Sequence, residues 1–246
     1  LEGRPVTEID RHLRVLLHEI MPDLVAGADP LYLLLDDISG TALVSNWTWS
    51  IWSDDWLGRL NEVMTAEQKE NFAKRANVCW GLAEGNSGLE LDGIGHSFVV
   101  TDAGDLRNPL DPDGWHDFPE SAGPSFRRAR RIDVWLSADR STIHIDSAFQ
   151  DSCPRPEGGR AAIHEYRLAA RADAATLELT ALTPEPRILP FRECPGAVAN
   201  AQRLIGTPLP QIRAAVLANL RGTAGCTHLN DALRALAEMP ALAARL

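Results

Sequence analysis

Four consecutive segments between residues 132 and 183 have the composition and alternation of β-strands, and they constrain the fold more than any other feature. These segments are Ile132–Leu136, Thr142–Phe149, Ala161–Ala172 and Leu177–Thr183. The turns between them are rich in Asp, Ser, Gly and Pro. Short connections join antiparallel neighbours, because parallel strands need a crossover of roughly a dozen residues or more. The sequence therefore predicts an antiparallel meander.

Helical patterns lie on both sides of this predicted sheet. Three helices are predicted after it, over Pro195–Ile205, Leu209–Leu220 and Thr227–Ala237. Before it, residues 7–21 and 65–76 have helical spacing, whereas the apolar run Leu31–Leu35 and the Thr-, Val- and Trp-rich residues 41–52 predict strands. We expect an α+β fold, with an antiparallel β-sheet meander, helices packed at both ends and a C-terminal three-helix segment.

The stretch over residues 104–125 is rich in Gly, Pro and Asp and predicts a long loop. It separates a Trp-rich N-terminal part, residues 1–125, from the sheet and C-terminal helices, residues 126–246. We expect the N-terminal part to form a substrate wall and both parts to form one integrated domain.

Composition narrows the class of protein. The formal net charge of -10 disfavours nucleic acid and anionic lipid as partners. No apolar run approaches the roughly 18 residues of a membrane span, and no secretory signal is visible. Four cysteines are too few for a disulfide scaffold, so we expect a cytoplasmic protein with a small-molecule substrate; a homo-oligomer is left open. The basic residues Arg127, Arg128, Arg130 and Arg131 are expected to pair with carboxylates of the same chain.

Two of the predicted strands carry polar side chains on one face. His144 and Asp146 share a face of one strand, and His164 and Tyr166 share a face of the next. If the two strands pair, the four side chains converge, and a carboxylate beside a histidine fixes its tautomer and raises its basicity. This predicts an acid–base site, with a solvated sheet face as the alternative.

A second candidate site lies at two predicted helix starts. Cys226 and His228 are two residues apart at the start of the last helix, and Cys194 begins an earlier one. A helix N-terminus stabilises a thiolate and lowers its pKa. We expect Cys194, Cys226 and His228 to hold one divalent metal ion, zinc or iron. The alternative is that the cysteines pack as small apolar residues, because zinc-finger spacing is absent.

Tryptophans cluster in one short segment of a chain with 6% aromatic residues. We expect Trp47, Trp49, Trp52 and Trp80, with His116 from the long loop, to bind the substrate. Core packing is the alternative for each tryptophan. No dinucleotide or phosphate-loop motif is present, so no nucleotide cofactor is expected.

Several segments together resemble one protein family. The tail Arg221–Arg234 (RGTAGCTHLNDALR) is the most specific of them. It is accompanied by His164–Tyr166, Leu189–Pro195 and Arg130–Trp135, and more weakly by Asp111–His116, Val78–Ser87 and Leu34–Ile38. These segments resemble a bacterial family known as domain of unknown function 2889. The family has no function that we can name. The resemblance implies that the sheet and C-terminal helices are the essential unit, and that Asp146, His164, Cys194, Cys226 and His228 match the family's motif.

From these patterns we expect a catabolic lyase or hydrolase that acts on a small apolar or aromatic compound. His164 and Asp146, with His144 and Tyr166, would supply acid–base chemistry, assisted by a metal ion. One alternative is a cofactor-free acid–base lyase whose cysteines are structural. Another is a non-catalytic binding module in which the Trp-rich segment is a partner surface.

Overall fold

The computed structural model describes residues 19–20, 22–24, 31–56, 58, 62, 64–67, 70, 74–89 and 101–246. The helix predicted over residues 7–21 lies almost entirely outside the described residues, and the one over 65–76 lies partly outside them. The chain divides into two compact units, Leu1–Trp47 and Thr48–Leu246.

The segment predicted to form strands before residue 53 is helical instead. Helix α1 spans Leu31–Val44 in the first unit and is followed by the 3-10 turn Ser45–Trp47. Helix α2 spans Thr48–Trp52 at the start of the second unit. The strand prediction was wrong because leucine, a strong helix former, supplies five of the 14 residues of α1, and β-propensity is a weak guide without packing information.

A five-stranded antiparallel sheet forms the centre of the second unit. Its strands are β1 (Thr101–Asp102), β2 (Arg127–Leu136), β3 (Thr142–Pro154), β4 (Arg160–Asp173) and β5 (Leu179–Ile188). Strand β3 lies between β2 and β4, and the other edge of β4 pairs with β1 at its start and with β5 along the rest. The predicted meander is confirmed.

The register of β3 against β4 decides which side chains share a face of the sheet. Phe149 lies opposite Tyr166, and Ile145 lies opposite Ala170. All four are buried in the core. Side chains alternate along each strand, so the neighbours of these residues point to the opposite face. We call the face that carries Phe149 and Tyr166 the core face.

The C-terminal helices supply much of the core. A 3-10 helix spans Cys194–Leu204, and helices α3, α4 and α5 span Ile212–Asn219, Thr227–Arg234 and Met239–Ala243. Their buried side chains join those of the core face in one apolar cluster. The α+β class and the helical C-terminal segment are confirmed, although the first predicted helix is of the 3-10 type. Within the described part of the chain, no helix is both long and apolar enough to cross a membrane.

The start of α4 is held by close backbone contacts. A Cβ atom on Gly225 would collide with the backbone oxygen of Leu220, so no other residue fits this position without a shift. Asn230 in α4 donates a hydrogen bond to the same Leu220 oxygen at 2.9 Å. The Trp80 backbone N–H donates to the Gly225 oxygen at 2.8 Å. These contacts fix where the side chains of the first turn of α4 lie.

Candidate active site

A buried network of charged groups connects the sheet to α4. The Arg128 guanidinium binds both oxygens of Asp151, with Nε–Oδ1 and Nη2–Oδ2 distances of 2.8 Å. Its Nη1 donates to Asp231 at 2.9 Å, and Asp231 also accepts from Arg234 at 2.6 Å. Asp151 is fully buried and the Arg128 side chain is 3% exposed. Two arginines thus balance two aspartates, which is the pairing that buried charges require.

His164 extends this network. Its Nδ1 lies 3.2 Å from Oδ2 of Asp151, its cross-strand neighbour on β3. The register of β3 and β4 shifts immediately beyond this pair, so that Ile163 has no partner on β3. A bulge of this kind re-aims the adjacent side chain. The irregularity therefore helps to place His164 beside Asp151.

A second histidine covers the first. The ring of His228, in the first turn of α4, stacks on the ring of His164 with 3.4 Å between centroids and 19° between planes. The ring of Phe149 is stacked on the His228 ring at a longer centroid distance of 6.4 Å. His164 is buried whereas His228 is half-buried.

Burial and neighbouring charges shift the pKa values of Asp151 and of the two histidines. Burial raises the pKa of Asp151, but hydrogen bonds from Arg128 and His164 outweigh it and hold the pKa below its ordinary value. Burial lowers the pKa of His164 despite the opposing effect of Asp151. Burial, and then the neighbouring His164, lower the pKa of His228 well below its ordinary value. The site consequently holds an ionised aspartate beside two neutral histidines near pH 7.

Tyr166 lies on the core face two residues after His164, and its hydroxyl is directed elsewhere. The hydroxyl donates to the Cys226 thiol, with 3.5 Å between oxygen and sulfur. Burial, followed by the neighbouring Cys226, raises the pKa of Tyr166. The phenol therefore keeps its proton and acts as a buried donor.

The structure separates His144 and Asp146 from His164, and the expected convergence of the four side chains is wrong. The two strands do pair, but the register puts His144 opposite Arg171 and Asp146 opposite Ala169. Both residues lie on the opposite face from His164. His144 stacks on Trp135 at a centroid distance of 5.4 Å. Asp146 pairs with Arg131 at 2.8 Å.

The cysteines are not the reactive thiolates that a helix start would favour. Burial raises the pKa of Cys226, although the N–H groups of Leu229 and His228 act in the opposite direction. Burial also raises the pKa of Cys194 to about 12. The expectation of a lowered pKa was wrong because loss of hydration outweighs the helix N-terminus. Both thiols stay protonated.

The residues that can share a metal ion differ from the predicted set. Among the described residues, Asp151, His164 and His228 place one ligand atom each within 4.8 Å of one another. His228 belongs both to the predicted set and to this one, whereas the Cys226 thiol accepts a hydrogen bond from Tyr166. Two observations oppose a metal at this position. Arg128 already occupies both oxygens of Asp151, and stacked rings cannot both direct a nitrogen lone pair at one ion unless one ring turns.

The predicted substrate residues are distributed over several parts of the chain. Trp47 is buried at the end of the first unit, and Trp49 is 47% exposed on α2. They do not lie on a strand, as was predicted for residues 41–52, and residues two apart on a helix point in different directions. Trp52 donates from Nε1 to the Pro154 oxygen at 2.8 Å. His116 is exposed in the 104–125 loop.

Trp80 is a predicted substrate residue that contacts the start of α4. Its backbone contacts Gly225, the residue before Cys226 at the start of α4. Its ring packs so closely on Gly196 that a Cβ atom there would collide with it. Trp80 also packs against the core cluster.

Sequence reasoning missed Asp151, Phe149 and Asp231 as parts of the site. Asp151 was overlooked because the predicted strand ended at Phe149, whereas β3 continues to Pro154. A period-2 extension of that strand would have placed Asp151 on the face of Phe149. The expectation that the basic run pairs with carboxylates of the same chain is confirmed for Arg128 and Arg131.

We predict that the free energy of unfolding falls as the pH drops from 7 to 5, partly because of His164 and His228. Their pKa values are lowered in the folded state, so below the ordinary value of about 6.5 the unfolded chain takes up protons that the folded chain does not. Each such proton costs about 1.4 kcal/mol of stability per pH unit. Urea unfolding at several pH values measures this slope.

The double variant His164→Gln, His228→Gln should show a shallower slope than the wild type, and the control His144→Gln measures the effect of the same substitution outside the site. The control replaces a histidine of the opposite sheet face with the same residue. An equal slope in the double variant and the wild type would contradict the lowered pKa values.

The part of the chain that carries this site is similar to one protein family. Residues 126–241 match the model of a family described as "Protein of unknown function (DUF2889)". The match includes Arg128, Asp151, His164 and His228. No curated protein and no solved structure matches the chain. Residues 126–241 are therefore similar to the DUF2889 family of proteins of unknown function.

Proposed function

We propose that this chain is a catabolic lyase or hydrolase that acts on a small apolar or aromatic compound by acid–base chemistry at Asp151, His164 and His228. The observation that carries the proposal is the buried contact of 3.2 Å between Asp151 Oδ2 and His164 Nδ1. A histidine held by a carboxylate in this way is a common general base. The proposal replaces Asp146 and His144 with Asp151 and His228.

Asp151 determines which nitrogen of His164 accepts a proton. Because an ionised carboxylate only accepts hydrogen bonds, the contact requires the His164 proton to lie on Nδ1. The Nε2 lone pair is then free to take a proton from a substrate. The charge of Asp151 stabilises the imidazolium that forms, as in other carboxylate–histidine pairs. Arg128 keeps the proton off Asp151 by lowering its pKa.

The stacked histidines restrict the charge that the site can hold. Two parallel rings 3.4 Å apart repel each other strongly if both are protonated. A proton taken up by one ring therefore leaves the other neutral. His228 is the half-buried member of the pair, which supports a role in contacting the substrate and returning the proton. Tyr166 retains its hydroxyl proton, which makes it a donor rather than a base.

The surroundings of the histidine pair favour an uncharged, apolar ligand. Phe149 flanks His228 inside the sheet, and Trp80 lies next to the start of α4. The charges of Arg128 and Asp151 are already matched, so neither is free to bind an ionic group.

The four cysteines are free thiols. This supports a reducing compartment such as the cytoplasm as the proposed location.

A metal-assisted reaction is the second candidate, because Asp151, His164 and His228 have ligand atoms within 4.8 Å of one another. These residues form a two-histidine, one-carboxylate set that suits zinc or iron(II). Bound there, the metal would supply a Lewis acid or an activated water. Metal analysis of protein purified without chelator separates the two candidates. About one equivalent that disappears in His228→Ala would favour the metal; no metal in either protein would favour acid–base chemistry alone.

We predict that His164→Asn and Asp151→Asn lower turnover by about 100-fold to 10,000-fold, the usual contribution of acid–base catalysis. A panel of small aromatic esters, ethers and alcohols would identify a turnover to measure. The matched controls are His144→Asn and Asp146→Asn, which make the same chemical changes on the opposite face of the sheet. The controls should retain near wild-type turnover.

Folding of each variant is checked by circular dichroism and urea unfolding, because Asp151→Asn also weakens a buried ion pair. Folded His164→Asn protein with wild-type turnover would overturn the proposal. A folded wild-type protein that binds a panel compound without converting it would instead favour the binding module.

A further inference from the structure

Two arginines lie in one row across the face of the sheet that is opposite the core face. Arg131 on β2 is the neighbour of Ala148 on β3, and Ala148 is the neighbour of Arg167 on β4. Adjacent strands are about 4.8 Å apart, so the two arginine backbones are separated by roughly 10 Å. Ala148 lies between them and is buried. The two arginine side chains therefore project from the same face of the sheet, on either side of Ala148.

A cavity of about 390 Å³ lies above this row. Arg131 and Arg167 line it from the sheet, and the 104–125 loop lines it with Arg107, Asn108, Pro109 and Pro112. The loop is shaped by a turn in which Asn108 and Asp111 form an isolated antiparallel bridge. The cavity thus has basic groups on its floor and two proline rings on its wall.

The chain itself neutralises two of the three arginines. Arg131 pairs with Asp133 at 3.0 Å and with Asp146 at 2.8 Å. Arg107 forms ion pairs with Asp117 and, at 3.9 Å, with Asp105, which also lines the cavity.

Arg167 differs from both of these arginines. Among the described residues it has no carboxylate partner. Its Nε atom is buried without a hydrogen bond, as are Nε and Nη2 of Arg131, but those two Arg131 atoms lie within 3.0 Å of carboxylate oxygens. Its neighbour on β5, Glu185, pairs with Arg187 at 2.6 Å instead. A buried donor without a partner calls for an explanation such as a bound ligand or ion.

We propose that this cavity binds a small monocarboxylate, with Arg167 as the residue that holds the carboxylate. A guanidinium binds a carboxylate through two parallel hydrogen bonds, which is the strongest pairing open to Arg167. Arg167 is a single guanidinium without a carboxylate partner among the described residues, which suits a ligand with one carboxylate group. The rings of Pro109 and Pro112 give the ligand's apolar body a surface to contact. The cavity lies on the opposite face of the sheet from His164, so this site is independent of the proposed reaction.

Isothermal titration calorimetry with benzoate tests the proposal at low ionic strength. We expect saturable binding to the full chain and roughly tenfold or greater weakening in Arg167→Met. Arg167→Lys keeps the charge but loses the paired hydrogen bonds, so its binding should be intermediate. Arg171→Met is the matched control, because Arg171 is exposed, lies on the same strand and face, and is changed in the same way. Its binding should match the wild type.

Urea unfolding of each variant shows whether a loss of binding reflects a loss of folding, and Arg167→Lys provides a second reading if Arg167→Met does not fold. No saturable binding of benzoate would overturn the proposal. Equal weakening in Arg167→Met and Arg171→Met would also overturn it, because the effect would then be one of net charge. Inorganic phosphate that competes as well as benzoate would show a general anion site and contradict the carboxylate assignment.

Discussion

The buried ion pair between Arg128 and Asp151 is the interaction on which the rest of the candidate site depends. It joins β2 to β3, and through Asp231 it reaches α4. Burying a charge is costly unless a partner and further hydrogen bonds compensate for it, and here both aspartates and both arginines are matched. Because Asp151 is thereby kept ionised in the interior, it can orient His164. Without Arg128, a buried Asp151 would tend to take up a proton, and the tautomer of His164 would no longer be fixed.

The two histidines come together for different local reasons. His164 is placed by the register of β3 and β4 and by the irregularity at Ile163. His228 is placed by the start of α4, where Gly225 permits a close approach to the Leu220 backbone. Since both positions are set by backbone geometry, the stacked pair is organised before any substrate binds. Catalytic groups held in this way avoid the cost of rearrangement during a reaction.

The pattern of apolar residues in short segments was enough to predict the strands and the C-terminal helices, because alternation and helical spacing are properties of such segments. The same pattern was not enough to predict the register of β3 against β4. Asp146 and Asp151 are both aspartates of β3, and only the pairing with β4 shows that Asp151 is the neighbour of His164. Nor could local pattern show that burial would outweigh the helix N-terminus at Cys226. Residues 41–52 were assigned to a strand because tryptophan and threonine favour strands on average, whereas the preference of the surrounding chain is helical.

The proposed site requires that Asp151 hold a neutral His164 with its proton on Nδ1. Nitrogen-15 NMR of the histidine side chains measures this directly, with the His164→Gln variant used to assign the resonance. We predict that at pH 7 the His164 ring is neutral, with a protonated Nδ1 and an unprotonated Nε2. A His164 that carries its proton on Nε2, or that is doubly protonated at pH 7, would contradict this assignment.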